Sequence, residues 1–326
     1  MALIVQKFGG SSLAGAERLE RAAKRIADTY RQGNDVIAVL SARGNTTDDL
    51  LREARDISQE LPPRESDLLL SVGELISVSH MAILLSSMGL PVIALTGWQA
   101  GIHTDLNFGD AKIQHVDGMR IRRALADRNI VLVAGFQGIS EAGEITTLGR
   151  GGSDTTAVAL AAFLGADACH IYTDVDGVYT GDPHELPEAR KLSSISFDDM
   201  LEMAAQGAKV LHDRSVELAK AHRLTFEVRS SFEEVPGTVV GPQDTRSFCG
   251  IAVQRGIRVS SFPGPVAKVS VIGASCSMPR TAAQATAALS DIRILRILPR
   301  TRCISVYVPE TDAVRAARSL HNIFLS

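Results

Sequence analysis

Three glycine-rich runs in this sequence carry residue types suited to phosphate or carboxylate chemistry. The first is KFGGSS at residues 7–12, where two glycines follow an apolar run and Lys7 stands beside them. Backbone N–H groups at the start of a helix bind anions, and a nearby lysine adds a positive charge. This run favours a phosphate site, with a tight strand-to-helix turn and an exposed lysine as the alternative.

The second run is LGRGGSDTT at residues 148–156, ahead of an alanine-rich helical stretch. Arg150 lies among three glycines, and its guanidinium fork suits a carboxylate. The polar residues after the glycines predict a capped helix start. The run therefore predicts a carboxylate-binding loop, and a capped helix behind a glycine turn is the alternative.

The third run is YTDVDGVYTGDP at residues 172–183. A predicted strand ends at Thr173, and the turns after it place Tyr179 where a nucleotide base or ribose could rest. The alternating aspartates are reminiscent of a calcium loop, but the spacing and the terminal glutamate of an EF-hand are missing. A nucleotide-binding turn and two acidic turns without a ligand remain the two interpretations.

Buried strands that alternate with helices must position these runs. Apolar runs predict strands at residues 3–8, 36–40, 92–95, 130–134 and 169–172. Helical spacing predicts helices at residues 14–31, 76–88, 119–127 and 155–164. This alternation predicts an α/β domain whose largely parallel sheet is covered on both faces. Ligands of such sheets bind beyond the carboxyl ends of the strands, where the glycine-rich turns fall.

The composition excludes several classes of protein. The chain has 326 residues, 45% of them hydrophobic, and a formal net charge of −3. At about 100 to 200 residues per domain, this length predicts two domains. The near-neutral charge argues against a nucleic-acid binder, and the lack of a run of about 20 apolar residues argues against a membrane span. Four scattered cysteines indicate a reduced, cytoplasmic protein, and the eight histidines show no metal-ligand spacing.

A polar, turn-rich segment around residues 236–247 predicts a boundary between domains of residues 1–245 and 246–326. From residue 246 onward 11 residues are basic and 3 are acidic, so the two domains carry opposite net charge. The second domain shows strand patterns at residues 248–255, 266–274, 292–298 and 303–308, and helix patterns at residues 281–289 and 311–324. This pattern is typical of a small ferredoxin-like α+β module.

In chain order the sequence contains KFGGSS, LSARGNTTDDLL, SVGE, LTGWQAGIHTD, VLVAGFQGIS, EITTLGRGGSDTTAVALAA, YTDVDGVYTGDP, AKVLHDRSVELA and VRSSF-x4-GT. This series resembles the aspartokinases almost continuously over residues 1–240. The resemblance implies the amino acid kinase fold, an αβα sandwich around a mainly parallel sheet. It also implies phosphoryl transfer from MgATP to the β-carboxylate of L-aspartate, giving 4-phospho-L-aspartate and ADP.

The same resemblance assigns candidate residues. The residues expected at the transferring phosphate and the rest of the nucleotide are Lys7, Gly9, Gly10, Ser11, Thr173, Asp174, Tyr179, Lys209 and Val210. Aspartate is expected to bind Glu74 through its ammonium group and Arg150 through a carboxylate, with hydrogen bonds from Ser41, Thr47 and Ser153. The expected catalytic residues are Lys7, Lys209 and Asp154, which would orient the lysines. Mg²⁺ is expected on the ATP phosphates, without a metal site of the protein's own.

The C-terminal part resembles a single ACT module, where aspartokinases usually carry two and bind lysine or threonine for feedback inhibition. ASCSMPRTAAQ and ILPRTR replace two segments typical of that module. We therefore expect weak or absent lysine and threonine feedback and a homodimer formed through the ACT module. The alternatives are a kinase for another acidic amino acid or aspartate analogue in a specialised pathway, and a non-catalytic, ligand-sensing pseudokinase.

Overall fold

The computed structural model describes residues 1–208, 210–242, 247–259 and 262–325, which form two compact units. The first unit comprises Met1–Asp176 and Leu218–Gly237, and the second comprises Gly177–Glu217 and the described residues from Thr238 onward. The predicted boundary at residue 245 falls outside the described residues, so the division into 1–245 and 246–326 stays a prediction.

The elements follow in chain order. Those up to residue 173 are β1 (Leu3–Phe8), α1 (Gly10–Leu13), α2 (Ala16–Arg31), β2 (Asp35–Leu40), α3 (Thr46–Ile57), α4 (Pro63–Ser87), β3 (Val92–Leu95), β4 (Ile102–Thr104), β5 (Ile113–Val116), α5 (Met119–Ala126), β6 (Ile130–Ala134), β7 (Gln137–Ser140), β8 (Ile145–Thr147), α6 (Gly152–Leu164) and β9 (Ala168–Thr173). The later ones are β10 (Ser194–Ser196), α7 (Phe197–Gln206), α8 (Asp213–His222), β11 (Phe226–Ser230), β12 (Thr238–Gly241), β13 (Gly250–Ile257), β14 (Val266–Ile272), α9 (Pro279–Ala288), β15 (Arg296–Pro299), β16 (Cys303–Pro309) and α10 (Ala313–Phe324).

A parallel sheet forms the centre of the first unit, with strands in the order β11-β9-β1-β2-β6-β3. Side chains alternate between its faces. Ala38 and Leu40 belong to the hydrophobic cluster that contains the buried residues of α2 and α4, whereas Ile37 and Val39 are buried on the opposite face. Helix α6 contacts β1, β2 and β9. The α/β sandwich predicted from the apolar runs is confirmed.

Helix α4 begins 13 residues before the predicted start at residue 76 and is the longest helix described. Its 25 residues are long and apolar enough, by length and composition, to cross a membrane. In this fold one face of the helix packs against β3, β6 and β8, with Met81 and Leu85 fully buried, whereas Ile83 on another face is exposed. Its first half instead turns polar side chains inward, including Asp67 and Glu74.

A small mixed sheet with strand order β5-β4-β7-β8 also belongs to the first unit. Strands β7 and β8 are antiparallel and pair Gln137 with Thr147. Helix α4 packs against β8. Sequence patterns did not predict these strands, because each has only three or four residues and polar side chains interrupt its apolar run.

The second unit contains an antiparallel sheet with strand order β13-β14-β16-β15. Buried residues of β14 and β16, such as Val269 and Val306, share a hydrophobic cluster with residues of α9 and α10. All four strands and both helices lie where the sequence predicted a ferredoxin-like α+β module. The same unit holds α7 and the parallel pair β10 and β12.

Candidate active site

The candidate residues of the first unit gather at one edge of its parallel sheet. Strands β1, β2, β6 and β9 run in the same direction, so their carboxyl ends meet there. Lys7 pairs with Val39 on one side and with Ile171 on the other, which places it in the middle of this edge. The loops after these strands and the start of α6 therefore supply the site, as the rule for open α/β sheets predicts.

The KFGGSS run forms a tight turn from β1 into the four-residue helix α1. The Gly9 N–H donates to the Tyr172 carbonyl oxygen at 3.3 Å, so the turn is tied to β9. A Cβ atom on Gly10 would lie 2.6 Å from the Ala42 carbonyl oxygen, closer than real Cβ contacts. Only glycine therefore lets this turn pass so close to the loop after β2.

Lys7 and Asp154 form a buried ion pair across this turn. The Lys7 Nζ lies 2.5 Å from Asp154 Oδ1, and the two residues are each 8% exposed. A Cβ atom on Gly9 would lie 3.4 Å from the same Nζ, so the ammonium group stands beside the glycine turn. Burial of a charge is costly unless it is paired, and Asp154 supplies that partner. The lysine head group is thus held where an anion on the turn would meet it.

Glu74 is buried on the inner side of α4 and is only partly hydrogen-bonded. Its Oε1 accepts from the Ala42 N–H at 3.0 Å, whereas its Oε2 has no hydrogen-bond partner among the residues that the structure describes. Burial raises the pKa of the Glu74 carboxyl to about 8, against a smaller lowering by the Ala42 N–H. A buried carboxylate oxygen without a donor is costly, and an ammonium group would satisfy it.

The GRGGSD run differs in one respect from the expected capped helix. Gly149 and Gly151 adopt left-handed backbone conformations with φ of +73° and +71°, and Arg150 between them is exposed. Helix α6 begins at Gly152 behind Gly151, and no side chain caps it. The expected side-chain cap was wrong because the helix begins earlier than predicted, so that Gly151 occupies the N-cap position and Ser153 and Asp154 lie within the first turn. Asp154 pairs with Lys7 instead.

Two further substrate candidates follow β2. The Ser41 N–H donates to the Phe8 carbonyl oxygen at 3.1 Å, which brings Ser41 beside the end of β1. Thr47 is half-buried in the first turn of α3. Ser153, in the first turn of α6, is buried.

The nucleotide candidates are divided among different parts of the chain. Thr173 ends β9, and its Oγ1 donates to the carboxylate of exposed Asp174 at 3.0 Å. Tyr179, bridged to Lys191, and half-buried Val210 belong to the second unit. Ser11 is half-buried in α1. Lys209 lies outside the described residues.

Sequence reasoning missed Phe136, which follows β6 at the same edge. Its φ of +67° is unusual for a residue with a side chain. The Phe136 N–H donates to Thr156 Oγ1 at 3.1 Å, and its carbonyl oxygen accepts from the Leu148 N–H at 2.8 Å. These bonds tie the loop after β6 to the run that carries Arg150. The glycine-flanked GFQG letters after a predicted strand were the available signal.

The sequence of this chain is similar to those of known proteins. Residues 2–230 match the model of the amino acid kinase family. The chain is 47% identical over 301 residues to the aspartokinase of Corynebacterium glutamicum, an alignment that covers 90% of this chain and 69% of the relative. The chain belongs to the amino acid kinase family. Within this family it is also 50% identical over 273 residues to the aspartokinase of Geobacillus stearothermophilus, covering 84% of this chain and 66% of the relative.

This amino acid kinase spans about two thirds of the length of those curated aspartokinases. A crystal structure of aspartokinase III from E. coli matches it with a TM-score of 0.79 and 21% identity, over 99% of this chain and 100% of that chain. That likeness shows the same fold.

Proposed function

We propose that this amino acid kinase transfers the γ-phosphoryl group of ATP to the β-carboxylate of L-aspartate, giving 4-phospho-L-aspartate and ADP. The observation that carries the proposal is the buried Lys7–Asp154 pair beside the glycine turn, with an N–H-rich helix start next to it. The curated relatives are aspartokinases, and the E. coli enzyme was crystallised with aspartate and ADP.

In our proposal, the site stabilises the transferring phosphate by electrostatic attraction. Lys7 neutralises charge that spreads over the oxygens of the transferring group, and Asp154 holds its ammonium in place. Gly10 and Ser11 offer backbone N–H groups to the same phosphate, and Gly9, whose own N–H is bonded to the Tyr172 carbonyl oxygen, lets the backbone approach it closely. The rest of the nucleotide is assigned to Thr173, Asp174, Tyr179, Lys209 and Val210.

Aspartate is held at both of its charged ends in this proposal. Glu74 accepts the substrate ammonium through Oε2, which has no partner among the described residues, and Arg150 binds a carboxylate through its guanidinium fork. Hydrogen bonds come from Ser41, Thr47 and Ser153. A carboxylate with a pKa of about 4 is already ionised at neutral pH, so the nucleophile needs positioning rather than a general base.

Mg²⁺ fits this site as an ion that the phosphate oxygens of ATP bind. Among the described residues no group of three or more His, Cys, Asp and Glu side chains could hold a metal ion. Mg²⁺ commonly keeps several waters and binds substrate phosphates with few protein groups. When bound to ATP it would neutralise phosphate charge, in addition to the charge that Lys7 supplies.

Lys7→Ala tests the proposal, with Lys24→Ala as the matched control because Lys24 is an exposed helix residue. Aspartate-dependent ADP release and hydroxamate formation are expected to fall by orders of magnitude in Lys7→Ala and to stay unchanged in Lys24→Ala. Both variants are assayed below the melting temperature of Lys7→Ala, because loss of the buried ion pair also lowers its stability. Unchanged turnover in Lys7→Ala would refute the role of Lys7. Glutamate and substituted aspartates as substrates would identify a kinase for another acidic amino acid, and nucleotide binding without turnover would identify a pseudokinase.

Regulation, assembly and location extend the proposal. The departures at ASCSMPRTAAQ and ILPRTR favour weak or absent feedback, so millimolar lysine and threonine, singly or together, are expected to leave activity nearly unchanged. Strong inhibition would contradict this expectation. We also propose a homodimer formed through the ACT-like module, to be measured by light scattering, and a cytoplasmic location.

A further inference from the structure

Asp67 is a buried carboxylate that the proposed reaction does not use. It is 1% exposed and lies on α4, two helical turns before Glu74. Its Oδ2 accepts from the Thr147 N–H at 2.7 Å and from the Gly109 N–H at 2.9 Å, and its Oδ1 accepts from Thr147 Oγ1 at 2.8 Å. Buried carboxylates are commonly paired with cations, so a buried aspartate that accepts three short hydrogen bonds from neutral donors is unusual.

The hydrogen bonds between Asp67 and Thr147 join the two chain segments that carry the residues proposed to bind aspartate. Thr147 ends β8, and Arg150 follows three residues later. Asp67 and Glu74 are seven residues apart, so both lie on the inward face of the same helix. The Asp67–Thr147 connection therefore fixes the helix that carries Glu74 relative to the strand that leads to Arg150.

A second polar contact, one turn further along α4, joins the helix to β7, the strand that pairs with β8. Gln137, which pairs with Thr147 across β7 and β8, donates from Nε2 to the Ser71 carbonyl oxygen of α4 at 2.9 Å. Its Oε1 accepts from the Gly97 N–H at 3.4 Å. The helix is thus held at Asp67 and at Ser71, immediately before the turn that presents Glu74. Apolar packing could slide along the helix, whereas these directional bonds specify one position.

We propose that Asp67 is a positioning residue, which sets the distance between Glu74 and Arg150 through its hydrogen bonds to Thr147 and thereby determines affinity for aspartate. The inference rests on the proposed function, because it takes Glu74 and Arg150 as the residues that bind the substrate. It requires a carboxylate at position 67. An asparagine has one acceptor oxygen for three donors, and its amide group would face an N–H or O–H donor.

Four variants test this role. Asp67→Asn removes one acceptor, Thr147→Val removes only the hydroxyl donor, and Thr147→Ser keeps that donor as the conservative rescue. Thr104→Val is the matched control, since it removes a buried hydroxyl bond to Thr146 in the same small sheet without touching Asp67. Steady-state kinetics with both substrates, thermal unfolding and calorimetric titration with L-aspartate are measured for each.

Asp67→Asn is expected to lower kcat/KM for aspartate about 10-fold or more, because a misplacement of about 1 Å can cost about 100-fold. The KM for ATP is expected to stay within about twofold. Thr147→Val should show a smaller change of the same kind, while Thr147→Ser and Thr104→Val keep the wild-type aspartate KM. A calorimetric Kd for aspartate that rises in parallel would support the same conclusion without depending on turnover.

Two results would overturn the inference. One is an Asp67→Asn variant whose aspartate KM and Kd match the wild type. The other is a loss that affects both substrates equally and also appears in Thr104→Val, which would indicate general destabilisation. Failure of the proposed function looks different, because wild-type protein would then form no ADP with aspartate. In that case the inference is tested by comparing the aspartate Kd of wild type with that of Asp67→Asn. Equal Kd values, or no aspartate binding by wild type, would refute the role of Asp67.

Discussion

The raised pKa of Glu74 predicts a strong pH dependence of aspartate binding. Burial raises this pKa to about 8. Only the ionised carboxylate attracts an ammonium group, so at pH 7 about one site in eleven is competent before the substrate arrives. The apparent affinity is then about 11-fold weaker than the intrinsic affinity, which corresponds to about 1.4 kcal/mol.

Raising the pH from 6.5 to 8.5 increases the ionised fraction of Glu74 from about 3% to about 76%, so the aspartate KM is expected to fall about 25-fold. The kcat at saturating aspartate should change less, because the bound ammonium keeps the carboxylate ionised. A coupled assay of ADP release at constant ionic strength measures both parameters. The expected sign is tighter binding at higher pH, the reverse of a site that depends on a protonated histidine.

Two variants separate Glu74 from other titrating groups. Glu74→Gln keeps the shape of the side chain but cannot titrate, so its aspartate KM should be high and nearly constant with pH. Glu65→Gln removes an exposed carboxylate of the same helix and should keep the wild-type slope. A wild-type KM that varies less than about threefold over this range, or a Glu74→Gln variant with the wild-type slope, would refute the assigned contact.

Three further predictions concern stability and reactivity. The pKa of the Glu74 carboxyl is raised from 4.5 to about 8 in the folded state, so stability is lost as pH rises through this window. The free energy of unfolding in urea should therefore be higher for Glu74→Gln than for wild type, by a few kcal/mol at pH 8.5 and by about 1 kcal/mol at pH 5. Equal unfolding curves for the two proteins would contradict this. Gly10→Ala should lower the free energy of unfolding by about 1–3 kcal/mol, because its Cβ would meet the Ala42 carbonyl oxygen. Gly9→Ala is the control, since its Cβ would meet nothing closer than 3.4 Å. Equal melting temperatures for the two variants would show that the close approach at Gly10 does not require glycine. Burial raises the pKa of the Cys169 and Cys276 thiols to about 12 and of the Cys303 thiol to about 11, and Cys249 is buried too. Ellman's reagent at pH 8 should therefore label the four thiols only after unfolding, and rapid labelling of native protein would be the contrary result.

The sequence predicted five of the six strands described in the parallel sheet of the first unit, each to within one residue at its ends, and missed β11. Val, Ile and Leu runs that are buried on both faces leave an unmistakable pattern, and β3 and β6 match the prediction fully. The start of α4 was not predicted, because Asp67 and Glu74 interrupt the apolar spacing on its inner face. Polar residues that point inward hide the helical pattern, since periodicity alone cannot show that they have buried partners.

The candidate site divides in the same way. Its glycine turns could be recognised from the sequence, because strand-to-helix turns that bind anions require particular residues at fixed spacing. Family resemblance implied that Asp154 orients Lys7, but local spacing could not show this contact, which joins residues 147 positions apart in the chain. Whether the Oε2 atom of Glu74 has a donor likewise depends on the groups that surround it after folding, and among the described residues it has none.

Local spacing in the sequence therefore determined five strands of the parallel sheet and the glycine turns, and the series of motifs carried the resemblance to the family. The tertiary structure decided which charges meet, which oxygen stays without a donor and how α4 is held against β8 through Asp67 and Thr147. The physical reason is that periodicity and turn chemistry act over a few residues. Burial and hydrogen bonding, in contrast, depend on groups that approach each other only after the chain has folded.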